Sequence, residues 1–298
     1  MIGIFIALSL LILAAIVSGN NLSIAVGSLV GSNVTRRDAA VLIGIIGFIA
    51  GFFIGTGHME KTVSLLFPYN SLIILLVIWG SILIFVLAQF VRVPISLTMA
   101  IVGIAIGLFI RDGRYYGFPV VFRISVMWVI APIMAVVFSY IMMKVLISWK
   151  SRKVWRTASS MKIILIFLAF LSSFTLGENT LGFIGAIWNQ HMIVYPSVVL
   201  GIIIGSIFLS RGVLKRISYE IYSLNYSSAL VSLISSSVLV EIATLFGLPL
   251  SNTQTLTSGI LGAGLGKKMR AVSLKPVVRI LLLWFISPFI GILIGLAL

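Results

Sequence analysis

The residues able to do chemistry crowd between Leu248 and Gly266, where Ser251, Asn252, Thr253, Gln254, Thr255 and Thr257 interrupt a sequence apolar for tens of residues on either side. Pro249 just before them fixes one backbone dihedral and favours a helix start. The hydroxyls then follow where the first free N–H groups of a new helix point outward. A helix N-terminus carrying Ser and Thr is an anion site. An earlier stretch repeats the pattern: Pro94-Ile95-Ser96-Leu97-Thr98 precedes Gly103 and Gly107 as Pro249-Leu250-Ser251-Asn252-Thr253 precedes Gly259 and Gly262, at an offset of 155. Arg123, Trp128 and Pro132 recur as Arg279, Trp284 and Pro288 at an offset of 156. The chain therefore reads as two copies of one unit.

Other polar groups lie in matched places. Ser18-Gly19-Asn20-Asn21 follows the first apolar segment, and Gly177-Glu178-Asn179-Thr180 follows the corresponding segment of the second half. Such paired interruptions point to a transporter binding site, with the chain unwound inside the protein. The amides of Asn20, Asn21 and Asn179 offer oxygens to a cation and N–H groups to an anion; capping a helix is the alternative. The chain has six acids, Asp38, Glu60, Asp112, Glu178, Glu220 and Glu241. Glu241 sits within Leu239-Val240-Glu241-Ile242-Ala243 and Glu178 in the second interruption. A carboxylate at membrane depth is functional by default, so both are candidate proton carriers. Capping a neighbouring helix or pairing with a base is the bland alternative. His58 and His191 stand alone, with no carboxylate at ligand spacing, and read as structural. For Ser96, Thr98, Ser251 and Thr253 the bland alternative is a bond to the carbonyl one turn back or to another helix. The preceding proline and the duplication favour ligand contact.

The elements that must position these groups follow from composition. Of 298 residues 60% are hydrophobic and 9% charged, and the mean hydropathy is +1.24. A chain so poor in charge cannot cover itself in water, so it is a polytopic membrane protein. The apolar runs are continuous instead of alternating, which excludes a β-barrel and makes the fold all-α. The net charge of +15 sits mostly in short connectors, as the positive-inside rule requires, and carries no nucleic-acid signal. It also favours anionic solutes. With no cysteine, disulfides and thiolate metal sites are excluded. Ile2–Val17 lacks a basic leader and reads as a structural helix.

The expected organisation is a first transmembrane repeat over 1–147, a basic cytoplasmic connector over 148–162 carrying Lys150, Arg152, Lys153, Arg156 and Lys162, and a second repeat over 163–298. Ile2–Val17 is short for a span. Five helical segments per repeat, an odd number, make the repeats inverted, with broken helices or hairpins at the midplane. Basic clusters at Arg36/Arg37, 148–162, Arg211–Arg216 and Lys267–Lys275 then share one side and both termini lie on the other; Arg111 and Arg114 break the pattern. The parity holds only if the Pro-x-Ser-x-Thr elements cross the membrane fully.

Together these motifs resemble the inorganic phosphate transporter family, including its sulfate-permease branch. Ser18-Gly19-Asn20-Asn21-Leu22-Ser23-Ile24-Ala25 is similar to that family's Gly-Ala-Asn-Asp-Val-Ala-Asn-Ala signature, and Gly177-Glu178-Asn179-Thr180-Leu181-Gly182 resembles a degenerate second copy. Pro249-Leu250-Ser251-Asn252-Thr253-Gln254 resembles its Pro-Val-Ser-Thr-Thr-His motif, and Pro94-Ile95-Ser96-Leu97-Thr98-Met99 the weaker first-half form. The resemblance implies a secondary transporter of a tetrahedral oxyanion, driven by Na⁺ or H⁺ and working as a homodimer in the cell membrane, with no cofactor beyond the coupling ion. Ser96, Thr98, Ser251, Asn252, Thr253 and Gln254 are the substrate-binding candidates. Asn20, Asn21, Asn179, Thr180, Glu178 and Glu241 are the cation-binding or coupling candidates. The chain departs from the family where Asn21 and Thr180 replace the signature aspartates, Ile24 the second signature Asn and Gln254 the motif histidine. Neutral oxygens hold a small hard cation less well than carboxylates, which shifts the expectation from Na⁺ towards H⁺ through Glu241 or Glu178. The looser signature, Trp284-Phe285-Ile286-Ser287-Pro288 and Gly55-Thr56-Gly57 ahead of Lys61-Thr62 make sulfate the rival of phosphate.

An uncoupled anion channel would use the same polar helix ends. An enzyme would need a nucleophile–base pair or an HExxH motif, and the chain offers neither.

Overall fold

The structure, a computed structural model, describes residues 2–31, 33–68, 70–91, 96–113, 117–148, 154–189, 191–210, 226–267 and 274–298. Among them every regular element is a helix. Pro94, Arg92, Arg114, positions 149–153 of the basic connector, the cluster 211–225 with Glu220, and Lys268–Arg270 lie outside the described residues.

The first half comprises α1 (Ile2–Gly31), α2 (Arg37–Leu66), α3 (Ser71–Val91), α4 (Leu97–Asp112) and α5 (Phe118–Ser148). The second comprises α6 (Val154–Leu176), continued by a π-helical turn Gly177–Leu181 into α7 (Gly182–Ala186); α8 (Val194–Ile204), continued by a π turn Gly205–Leu209; α9 (Tyr226–Leu245); α10 (Asn252–Gly266); and α11 (Leu274–Ala297). Among the described residues five helices are long and apolar enough to cross a membrane: Ile2–Ser23, Arg37–Leu66, Phe118–Ser148, Ser159–Ala186 and Tyr226–Leu245. Large apolar side chains such as Phe53, Phe122, Ile133, Ile141 and Phe167 cover the outside, where only lipid can accept them.

α1 overturns the reading of Ile2–Val17 as a short segment ending in an unwound break. It is one helix of 30 residues that runs straight through Ser18-Gly19-Asn20-Asn21. Ser18 is satisfied there without unwinding. Ser18 Oγ donates to the Ala14 carbonyl one turn back at 2.7 Å, and Gly19 lets the backbone of the second π turn come close, since a Cβ would meet Leu209 and the Gly205 carbonyl. The second interruption is a true irregularity, yet it stays helical as the π turn Gly177–Leu181, buried throughout. Such single π turns inside helices mark functional sites.

The halves are laced together reciprocally. α1 packs on α8 and α6 packs on α2; α4 packs on α11 and α10 packs on α5. Glycines set these crossings. A Cβ at Gly55 of α2 would run into the Glu178 carbonyl, one at Gly103 of α4 into the Pro288 carbonyl of α11, and one at Gly262 of α10 into the Val136 carbonyl of α5. Small residues at such crossings are how helices associate tightly in lipid.

α4 and α10 have 16 and 15 residues. At 1.5 Å per residue they reach about 24 Å, short of the roughly 30 Å hydrocarbon core. Each has its N-terminus in the protein interior. The approach to α10 is tightly specified: α9 ends in a Schellman turn, with Leu248 N–H donating to the Ala243 carbonyl at 2.9 Å and Gly247 N–H to Thr244 at 2.8 Å. Gly247 takes φ 66° there, the left-handed conformation glycine adopts without strain.

Candidate functional site

Ser96 and Ser251 are the N-caps of α4 and α10, with nearly the same backbone conformation: φ −89°, ψ 119° for Ser96 and φ −89°, ψ 103° for Ser251. Each shares a hydrogen bond with the hydroxyl two residues on, Ser96 with Thr98 at 3.1 Å and Ser251 with Thr253 at 3.0 Å. Pro249 stands two residues ahead of the cap, so it shapes the entry to α10 and not its first turn.

Both N-termini open into one cavity of about 260 Å³, its open mouth included, lined by Ser96, Leu97, Thr98, Leu250, Ser251, Asn252, Thr253, Asn21, Thr180 and Phe85. Asn21 comes from α1 and Thr180 from the π turn, so the two signature-like stretches meet the two hydroxyl elements at one place. Among the described residues no lining residue is charged. Electropositive helix ends supply the field, and hydroxyls and an amide supply directional donors. Asn252 Nδ2 is buried without a hydrogen-bond partner. An unpaired buried donor costs stability, so a ligand acceptor in the cavity would satisfy it.

A shell of side chains holds this cradle. Thr98 Oγ1 donates to the Leu250 carbonyl at 3.2 Å. Asn179 clamps the Leu248–Leu250 segment with two bonds and α9 with a third: Nδ2 donates to Leu248 O at 3.1 Å and to Thr244 Oγ1 at 2.8 Å, and Oδ1 accepts from Leu250 N–H at 2.9 Å. Trp128 Nε1 donates to Pro249 O at 3.4 Å, and Thr62 Oγ1 to Gly247 O at 2.5 Å. Ser96 N–H reaches Ser287 Oγ at 3.4 Å on α11.

The remaining sequence candidates fall elsewhere. Gln254 is buried but does not line the cavity, and half-buried Asn20 does not either. Glu178 and Glu241 lie apart from the cavity lining. His58, read from the sequence as having no carboxylate partner, has one: its Nδ1 is 2.7 Å from Glu178 Oε1. The two residues are 120 positions apart, and no local spacing announces a contact across that distance. Phe85, Thr62 and Thr244 were likewise missed. Trp128 carried a signal, its recurrence as Trp284, but its role in holding Pro249 needed the geometry.

The profile of the phosphate transporter family matches residues 17–295. This chain belongs to that family. The family is one of membrane transporters, so the chain is a multi-pass membrane permease and not an enzyme. A Methanocaldococcus jannaschii protein provisionally described as a phosphate permease is 31% identical over 94% of this chain and 91% of its own length. The sulfate permease CysP of Bacillus subtilis is 24% identical over 88% of this chain and 77% of its own. A solved structure described as a sodium-dependent phosphate transporter superposes with a TM-score of 0.84 over 99% of this chain and 97% of that one, at 16% identity; the likeness is one of fold.

Proposed function

We propose that this family member is a secondary active permease of a tetrahedral oxyanion, phosphate or its close rival sulfate, that binds the anion between the N-termini of α4 and α10 and is coupled to a cation. The observation that carries the reading is the convergence of two Ser-x-Thr helix starts, one from each half, on a single uncharged cavity. Ser96, Thr98, Ser251, Asn252 and Thr253, with the free N–H groups of both helices, replace the anion's water. Asn21 and Thr180 add oxygens at the same cavity. The two halves act as inverted repeats, and rocking one against the other exposes the cavity to each side in turn. The reciprocal packing of the halves supports this cycle.

Sulfate is favoured over phosphate by one feature of the lining. Phosphate near neutral pH still carries an acidic P–OH, which needs a strong acceptor, whereas sulfate needs donors only. Among the described residues no carboxylate lines the cavity, and the Bacillus subtilis relative is described as a sulfate permease.

Uptake of labelled phosphate and sulfate into proteoliposomes tests both statements. Ser251→Ala and Thr253→Ala each remove a hydrogen bond to a charged ligand, about 1.5–3 kcal/mol, so roughly 10–100-fold in affinity. Unchanged uptake of both anions in both variants removes these residues from the site. Counterflow of preloaded anion distinguishes a carrier from a channel.

A further inference from the structure

We propose that His58, Glu178 and Glu241 form a proton-binding site, separate from the oxyanion cavity and mechanically joined to it through Asn179 and Thr180. The proposal rests on the permease reading above and assigns its coupling ion.

The three side chains come from three elements. His58 lies near the C-terminal end of α2, Glu178 in the π turn and Glu241 on α9. His58 Nδ1 is 2.7 Å from Glu178 Oε1, with the Glu178 side chain 1% and the His58 side chain 36% exposed. α9, which carries Glu241, packs on both α2 and the π turn, and this brings the Glu241 carboxyl into the electrostatic neighbourhood of Glu178 and His58. One oxygen of each carboxyl, Glu178 Oε2 and Glu241 Oε2, is buried with no hydrogen-bond partner. Two carboxylates opposed by one imidazole cannot balance. With His58 charged the cluster carries one excess negative charge, and with His58 neutral it carries two. An uncompensated charge at this depth is costly, and a proton shared between the two carboxyls lowers the excess by one and gives an orphan oxygen a donor.

Among the described residues no other charge is placed to do this. On α2, Glu60 and Lys61 are exposed, and Arg37 and Asp38 lie about 30 Å away along the helix. On α6, Lys162 is exposed some 24 Å from the π turn. α7, α1 and α8 carry no charged residue within their described spans. On α5, Arg123 and Lys144 are exposed, and Lys267 closes the far end of α10. Among the described residues the cluster's own histidine is its only ion-pair partner.

The link to the cavity is covalent and short. Glu178 is followed by Asn179, which holds the Leu248 carbonyl and the Leu250 N–H, and by Thr180, which lines the cavity. Any shift of the π turn on protonation moves both the Thr180 hydroxyl and the segment that leads into Ser251. Half-exposed His58 gives the proton a way in, while the cluster itself touches no anion.

The test uses the full chain in proteoliposomes with the membrane potential clamped, labelled sulfate and phosphate as probes, and a pH-sensitive dye inside. A one-unit pH gradient with one coupled proton drives about tenfold accumulation, accompanied by proton entry in the wild type. Glu241→Gln and Glu178→Gln should abolish this accumulation and the proton entry while anion exchange without a gradient continues; Glu60→Gln, exposed on α2 two residues from His58, should change neither. Glu241 is only half buried, so if Glu178→Gln does not fold, Glu241→Gln carries the test. A protonated-carboxyl infrared band that titrates in the wild type should be altered in both variants, a readout that a merely structural role would not move. Gradient-driven accumulation retained in folded Glu241→Gln, or a wild type driven by Na⁺ and indifferent to pH, overturns the proposal. A wild type that exchanges neither anion overturns instead the permease reading beneath it.

Discussion

Thr98 Oγ1 lies 3.2 Å from the carbonyl oxygen of Leu250, so the hydroxyl element of the first half is bonded to the backbone that leads into the second. The same hydroxyl pairs with Ser96 and faces the cavity. It therefore ties the two halves together at the point where the anion would sit.

Replacing Thr98 by Val keeps its shape and deletes those bonds. In the proposed site the single Thr98 proton turns from the Leu250 carbonyl to the bound anion, so oxyanion affinity is expected to fall roughly 10–100-fold, the value of one hydrogen bond to a charged group, while detergent-solubilised protein still elutes as a folded species. Thr98→Ser restores the hydroxyl and should recover most of the uptake. Transport kinetics of the pair against wild type check this.

Asn179→Ala leaves the Leu250 N–H and the Leu248 carbonyl without their partner. Each unmet buried group costs about 1–3 kcal/mol, so a loss on the order of 3 kcal/mol is expected, read as a lower midpoint in thermal unfolding. Asn179→Asp should be no better. A carboxylate still accepts from Leu250 but cannot donate to the Leu248 carbonyl or to Thr244, and it sets a charge against a carbonyl oxygen.

The large features of this architecture were legible because membranes impose them. Long continuous apolar runs announced an all-helical membrane fold, and the repeated Pro-x-Ser-x-Thr spacing located both helix starts that meet at the cavity. Two readings failed for the same physical reason. Ser18 to Asn21 looked like a break because polar groups in lipid need partners, but Ser18 found its partner within its own helix. His58 looked solitary because its carboxylate is supplied by another element 120 residues away. Local sequence shows that a polar group needs a partner; only the fold shows where that partner is.

Gly55→Ala tests how tightly the π turn is seated. A Cβ at this position has no room beside the Glu178 backbone, and the neighbour is main chain that cannot rotate away. Overpacking of this kind costs about 1–3 kcal/mol. The displaced turn carries Glu178, Asn179 and Thr180 together, so uptake should fall more steeply than stability. Gly57→Ala, with open space around it, is the control and should leave both unchanged.

Asn21→Asp probes the electrostatics of the cavity directly. Among the described residues the lining carries no charge, and in the proposed site helix ends and neutral donors hold the anion; a carboxylate at Asn21 would sit within several ångströms of a bound dianion. At about 5 Å and an effective dielectric of 20, each unit of like charge costs roughly 3 kcal/mol, so oxyanion uptake in a Na⁺-free buffer is expected to fall by more than tenfold. A cation bound between the new carboxylate and the Thr180 hydroxyl would cancel that repulsion. Added Na⁺ should then recover part of the uptake in the variant while leaving the wild type unaffected. Equal uptake by wild type and variant at every Na⁺ concentration would show that position 21 does not sense the transported anion, and would move the binding site away from α1.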